Sequence, residues 1–194
     1  PGFAGLTGRL EVSEKGGNIV LGSEEAAIEL PGILPESPVR LDSLAGQIGW
    51  KIVQDQLELV FNRLSLANRD LAGTLSGSFV KKQGSGGFID LTGRLSRAEG
   101  KAAYRYIPLI PAKVAEYLKT TIREGRSKDV RLRLKGDLSK FPFEDSRAGT
   151  FQIVAKVTDA DLHYADTWPP ATGISGDLIF EGRGMRVIAS KGAI

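Results

Sequence analysis

Residues 6 to 10 read LTGRL, and so do residues 91 to 95. Four looser copies share the pattern apolar-x-Gly-x-apolar: LAGQI at 44–48, LAGTL at 71–75, LKGDL at 134–138 and ISGDL at 174–178. Each copy lies inside a run in which apolar and polar residues alternate, and a period of two is the repeat of an extended strand with one face turned toward apolar surroundings. The chain must therefore fold mainly as β-sheet, from strands that carry a glycine in the middle of their apolar face.

The alternation predicts strands over 6–12, 44–52, 57–67, 71–79, 89–95, 130–138, 151–157 and 174–180. Within 57–67 the phase slips, because Leu57, Leu59 and Phe61 share one face and Leu64 and Leu66 the other, so a bulge is expected near Asn62 and Arg63. Turn residues at EKGGN, VQDQ, KQGSGG and GRGM separate neighbouring runs closely enough for sequential antiparallel hairpins. One segment breaks the rule. PAKVAEYLKTTIREG has Val114, Tyr117, Leu118 and Ile122 at helical spacing, Pro111 at a first-turn position and Gly125 as a stop, which predicts one amphipathic helix near 111–124 with Val114, Leu118 and Ile122 buried. A single helix excludes a parallel sheet, which needs a crossover for every strand. The predicted fold is thus mainly β and largely antiparallel with one helix, either a curved open sheet or a β-sandwich.

Glycine is 24 of 194 residues, well above the usual share of about 7%. In a flat strand it weakens packing and raises unfolded-state entropy, so its recurrence on the apolar face requires a local reason. Strong curvature toward that face, or close approach of another group, supplies one. The same alternation also fits an ordinary β-sandwich, in which these faces would form a closed core.

Composition narrows the function. There is no cysteine, which removes disulfides, cysteine-ligated zinc and thiol catalysis, and no apolar run of eighteen residues to cross a bilayer as a helix. Pro1 is not a natural start, so a piece of a longer protein is expected. Residues 94–135 hold twelve Lys or Arg against four Asp or Glu, a balance of +8, leaving −5 for the remainder of a chain whose net charge is +3. That stretch could meet anionic headgroups, but the period of VRLRLK turns Arg131, Arg133 and Lys135 outward as a solvated face. Basic residues are not interleaved with stacking aromatics, and no nucleic-acid partner is expected. For an enzyme, the best constellation is DADLHYAD, where Asp159, Asp161 and His163 would point one way on a strand. With a single histidine and no recognised ligand spacing it predicts neither catalysis nor a metal site. GSGG lacks the lysine and helix of a phosphate loop, and no cofactor is expected.

The stretch YRYIPLIPAKVAEYLKTTIREG, followed by KGDLSKFPFEDSRAGTFQIVAKVTDADLHYADTWPP, resembles the YhdP-type proteins of the AsmA-like family of Gram-negative envelopes. The resemblance runs over residues 104–182 and is carried by Tyr106, Pro108, Tyr117, Leu118, Gly125, Gly136, Phe141, Pro142, Phe143, Gly149, Phe151, Tyr164, Trp168 and Pro169. It implies a periplasmic segment of a lipid-transport bridge, anchored in the inner membrane by parts of the full-length protein outside this stretch. It further implies a curved, largely antiparallel sheet forming an open apolar groove, with residues 1–194 a single fragment of a longer β-groove domain, and phospholipid acyl chains as the partner that moves along it between the inner and outer membranes. The implied groove residues are Leu6, Gly8, Leu10, Leu44, Gly46, Ile48, Leu71, Gly73, Leu75, Leu91, Gly93, Leu95, Leu132, Leu134, Gly136, Leu138, Ile174, Gly176 and Leu178. Their other role is sandwich core, and the alternative function is an adhesion or glycan-binding β-sandwich acting through loops such as 165–173. Trp168 with Pro169 and Pro170 is expected to form a rigid turn whose indole caps the groove edge.

Overall fold

The computed structural model describes residues 2–82, 84–143, 145–163, 168–182 and 184–193. Eleven strands form one sheet: β1 (Gly2–Ala4), β2 (Gly8–Ser13), β3 (Gly16–Glu29), β4 (Val39–Val53), β5 (Gln56–Ala67), β6 (Leu71–Lys81), β7 (Phe88–Glu99), β8 (Ile122–Asp137), β9 (Gly149–Leu162), β10 (Ala171–Glu181) and β11 (Gly184–Ala193). From β3 to β11 each strand pairs antiparallel with the next in sequence, while β1 and β2 pair with the two halves of β3. Ten strand positions at about 4.8 Å make a surface roughly 43 Å wide along its contour. The sheet is open. All the described strands belong to it, so no second layer of strands closes over the apolar face and the sandwich alternative is set aside.

Bulges bend it. At the slip between Phe61 and Leu64 the register of β5 on β6 shifts by one residue, and Arg63 takes φ 47°, as the broken alternation of that run predicts. Asp159 (φ 51°) marks a similar shift of β9 against β8 and β10, whereas at Glu25 (φ 56°) β3 and β4 change phase together and keep their register. An extra residue on one strand raises the local twist and curls the sheet, while the phase change keeps the same face apolar on both sides of the kink.

The structure corrects the sequence reading in four places. Residues 16–29 form a long strand, β3, that the alternation did not announce, because Glu25 switches its phase after Ile19, Leu21 and Ser23. The first strand does not begin at Leu6: Gly5–Thr7 link β1 to β2, with the Thr7 amide donating to Ser23 Oγ at 2.8 Å. The helix, α1 (Ala112–Thr121), is shorter than 111–124, and its face is rotated. Ala115 and Leu118 are buried, but Val114 is 44% exposed. Ile122 opens β8 opposite Leu162, since the β-branched run TTI prefers an extended backbone, and Gly125 lies within that strand at φ 137° rather than ending the helix. Fourth, Leu138 does not extend a strand but starts a 3-10 turn, Leu138–Lys140, capped by the Asp137 carboxylate accepting from the Ser139 amide. That hydrogen bond, with the Ser139 hydroxyl, holds the Asp137 carboxyl below the usual range.

Candidate functional site: the glycine-bearing face

Strand pairing aligns the predicted residues in rows that cross the sheet. One row runs Leu64, Leu75, Gly93, Leu132, Ile153, Phe180, Met185. The next runs Leu44, Leu66, Gly73, Leu95, Val130, Ala155, Leu178, Val187. On the other side a third runs Leu10, Ile19, Ile48, Phe61, Gly77, Leu91, Leu134, Phe151. Gly8, Leu21 and Gly46 pair in line at the β2 side, and Gly136 pairs with Ile89 and Gly149 one row further along. Gly176 pairs with Val157 and Ala189, and Leu71 with Ala98. Antiparallel register thus converts six scattered pentapeptides into one continuous apolar surface. Of the predicted set, Leu6 sits in the β1–β2 link at 38% exposure, Leu138 in the 3-10 turn, and Ile174 beneath the helix.

Each glycine makes room for a neighbour. A methyl group on Gly93 would lie 2.6 Å from Leu75 Cδ2, and one on Gly46 would lie 2.7 Å from the Arg63 carbonyl oxygen and 3.0 Å from Leu64 Cδ2. At Gly8, Gly73 and Gly176 it would run into the backbone carbonyls of Val20, Arg94 and Ile188 on the next strand. Gly136 and Gly149 lie under the Phe143 ring. The leucine of one strand therefore lies across the glycine of the next, and the backbones come closer on this face than side chains would allow.

The opposite face is charged and solvated. Arg133 donates to the Asp90 carboxylate and to the Leu91 carbonyl oxygen, and Lys135 Nζ lies 3.4 Å from Asp90. The Arg133 hydrogen bond, with both cations nearby, holds Asp90 below the ordinary carboxylate range. The basic stretch thus faces water, as its period predicts. Asp161 is engaged locally, accepting from the Gly173 amide at 2.9 Å, and among the described residues no group of three or more His, Asp or Glu could hold a metal ion. Tyr164 and residues 165–167 lie outside the described residues. Trp168 is 61% exposed.

Cover on the glycine-bearing face is uneven. Over β8–β10 the face is roofed by residues 100–121, a 3-10 turn (Gly100–Tyr106) followed by α1: Tyr104, Ala115 and Leu118 bury themselves against Ile122, Ala160, Leu162, Ala171 and Ile174, with Phe180 and Val187 at the margin. At the other end of β8 and β9, Phe143 packs with Leu134 and Phe151, with Phe141, Ile89, Leu91 and Leu132 alongside. Phe141 meets Phe143 edge-on with centroids 5.8 Å apart and lies 5.1 Å from Phe151. Ile107 touches both clusters. Over β3–β5 the buried cluster is drawn from the sheet alone, Leu21, Ala26, Leu41 and Leu44, with Ile48 and Leu66 half-buried beside it. Leu64, Leu75 and Leu95 are also only half-buried. Sequence reasoning missed Ile19 and Leu21, hidden by the phase change in β3, and gave no role to Ile107 or Phe143, because nothing in local alternation tells which loop folds back over a face.

The roof is fastened at its far side by polar groups. Tyr104 Oη donates to Glu36 at 2.7 Å, Arg105 bridges Glu36 at 2.9 Å and Asp70 at 3.2 Å, and Tyr106 Oη donates to Asp70 at 2.9 Å while accepting from Asn68 at 2.9 Å. The Leu109 amide donates to the Ile33 carbonyl at 2.6 Å. Burial, together with the neighbouring Asp70 carboxylate, pushes the Tyr106 phenol from its ordinary 10 up to about 12. A folded-state value raised above the unfolded one means stability that is present below pH 10 and lost as pH rises toward 12. Tyrosinate absorbance, followed with stability against denaturant, should show one phenol still protonated at pH 11 and unfolding favoured above it; in Tyr106→Phe both features should vanish.

A family model described as YhdP protein matches residues 1–194, the whole of the sequence. No curated protein and no solved structure matches.

Proposed function

This chain belongs to the YhdP family, and we propose that it is a periplasmic segment of a bridge along which phospholipid moves between the inner and outer membranes. At the family level the assignment is to lipid transport of the AsmA-like kind in the Gram-negative envelope, a family not known for enzymes. The observation that carries the finer reading is the surface itself: apolar rows that run unbroken from strand to strand on one face of an open sheet, with Arg131, Arg133 and Lys135 on the other. Exposing a sixteen-carbon chain to water costs about 12 kcal/mol at roughly 0.8 kcal/mol per methylene, so an aqueous gap is a severe barrier to an unaided lipid. A continuous apolar surface removes most of it. Leu, Ile, Val and Gly offer many similar weak contacts and no deep pocket, which suits a ligand that must pass on. The acyl chains are the groups that touch the protein, the headgroup stays at the open side toward water, and the anchor in the inner membrane belongs to parts of the protein beyond this stretch. No helix of the described residues is long and apolar enough to cross a membrane.

The reading is tested by mass spectrometry of lipid that co-purifies with the intact protein. Leu75→Asp sets a carboxylate in the uncovered part of the surface, where desolvating it opposes any hydrocarbon. Bound phospholipid should fall about tenfold or more, while Thr92→Asp, on the exposed outer face beside Arg133, should leave it unchanged. Equal lipid in both variants, each with the circular dichroism of the parent, would overturn the proposal.

A further inference from the structure

Strands β7 and β8 are antiparallel neighbours, and a hairpin between such strands needs two to five residues. Here residues 100–121 intervene and cross the glycine-bearing face. Apolar burial holds both halves of this strap, and polar contacts are added to its first half. Its helical half is fixed by apolar burial of Ala115 and Leu118 on β8–β10. Its first half buries Ala102 and Tyr104 and is tied besides to connections at the same ends of the strands, through Glu36, Asp70, Asn68 and the Leu109–Ile33 hydrogen bond. These are contacts to two connections, 30–38 and 68–70, and they are partly wet: the Arg105 side chain is 32% exposed and that of Glu36 48%. Exposed ion pairs of this sort are weak and weakened further by salt, whereas apolar burial is not. Between the two holds stands Ile107, on the same patch as Leu91, Leu132 and Leu134.

We propose that residues 105–110 are a gate on the lipid path, that the Glu36–Arg105–Asp70 fastening keeps it closed, and that Ile107 occupies ground which an acyl chain takes when the fastening opens. This rests on the lipid reading above. The strap lies over β8–β10 and leaves Leu64, Leu75 and Leu95 half-buried beside it, so a chain advancing along the rows from those residues meets the strap before it reaches β10. The hold that gives way is the polar one, and α1 stays on β8–β10 as the hinge side. Leu109, at φ 55° next to Pro108, and the Ile107–Pro108 and Ile110–Pro111 steps limit how that segment bends, so it moves as one short stiff piece.

The experiment sets a photo-crosslinking phenylalanine at Leu91, under the strap, or at Leu75, outside it, in the intact protein in Gram-negative cells, and measures captured cellular phospholipid by mass spectrometry. The fastening is cut by Glu36→Gln with Asp70→Asn, and locked by Ile33→Cys with Leu109→Cys joined by a thiol crosslinker, with each single-cysteine variant as the control, residues 1–194 having no other cysteine. The ratio of lipid captured at Leu91 to that at Leu75 should rise about threefold or more in the cut variant, and fall when the lock is closed, recovering in the uncrosslinked double-cysteine protein. An unchanged ratio on closing the lock overturns the gate even if the cut variant fails to fold. Capture at neither position would instead overturn the lipid reading itself.

Discussion

Gly73→Val is expected to lower stability by about 3 kcal/mol, a drop in Tm of about 6–12 °C for a domain of this size, while Gly22→Val leaves it within about 0.5 kcal/mol. Both glycines lie in strands, so intrinsic propensity favours valine at either position. They differ in what a side chain would meet. At Gly73 a Cβ runs into the Arg94 carbonyl and lies 2.7 Å from both Leu95 Cα and Leu95 Cδ2, so β6 and β7 would have to separate. At Gly22 nothing stands within 4 Å. Paired thermal and denaturant melts decide the matter: equal losses at the two positions would mean that glycine is needed for unfolded-state or general strand reasons and not for the close approach of neighbouring strands.

Phe143→Ala should cost about 3–5 kcal/mol, the usual range for removing a buried ring. Phe143 is 5% exposed, stands over Gly136 and Gly149, and joins Leu134 and Phe151 in one cluster. Two glycines facing one another across β8 and β9 leave a hollow that the Phe143 ring fills, and glycine has no side chain to move into the space once the ring is gone. Phe143→Leu should recover part of the stability, and a denaturant midpoint for each variant checks both. If Phe143→Ala melts like the parent, the ring is not part of the core and the Phe141–Phe143 turn is merely laid on the surface.

Much of this architecture could be read along the chain. The strand order, the hairpins at VQDQ and KQGSGG, and the bulge at Asn62 and Arg63 all follow from alternation and turn residues, because each is a local preference that pairing with an adjacent strand only reinforces. The common face of Leu75, Gly93 and Leu132 follows as well, since side chains alternate strictly and hairpins hold the register. Where the alternation changes phase without a turn, as at Glu25, the strand is hidden. Where a β-branched run follows a helix, as at Thr120 to Ile122, the boundary between them is set by the partner strand and not by propensity.

A pattern of period two and six glycines was enough to say that one face of an antiparallel sheet would be apolar and that each glycine there answers to a bend or a close neighbour, because both properties are written residue by residue. Which part of that face is roofed was decided by tertiary packing. Glu36, Asp70 and Arg105 are separated by 34 and 35 positions along the chain, and they meet because antiparallel pairing sets the connections 30–38, 68–70 and 100–121 at the same ends of the strands. No local rule measures that distance, so the strap, its fastening and the Phe143 cover belong to the folded molecule alone.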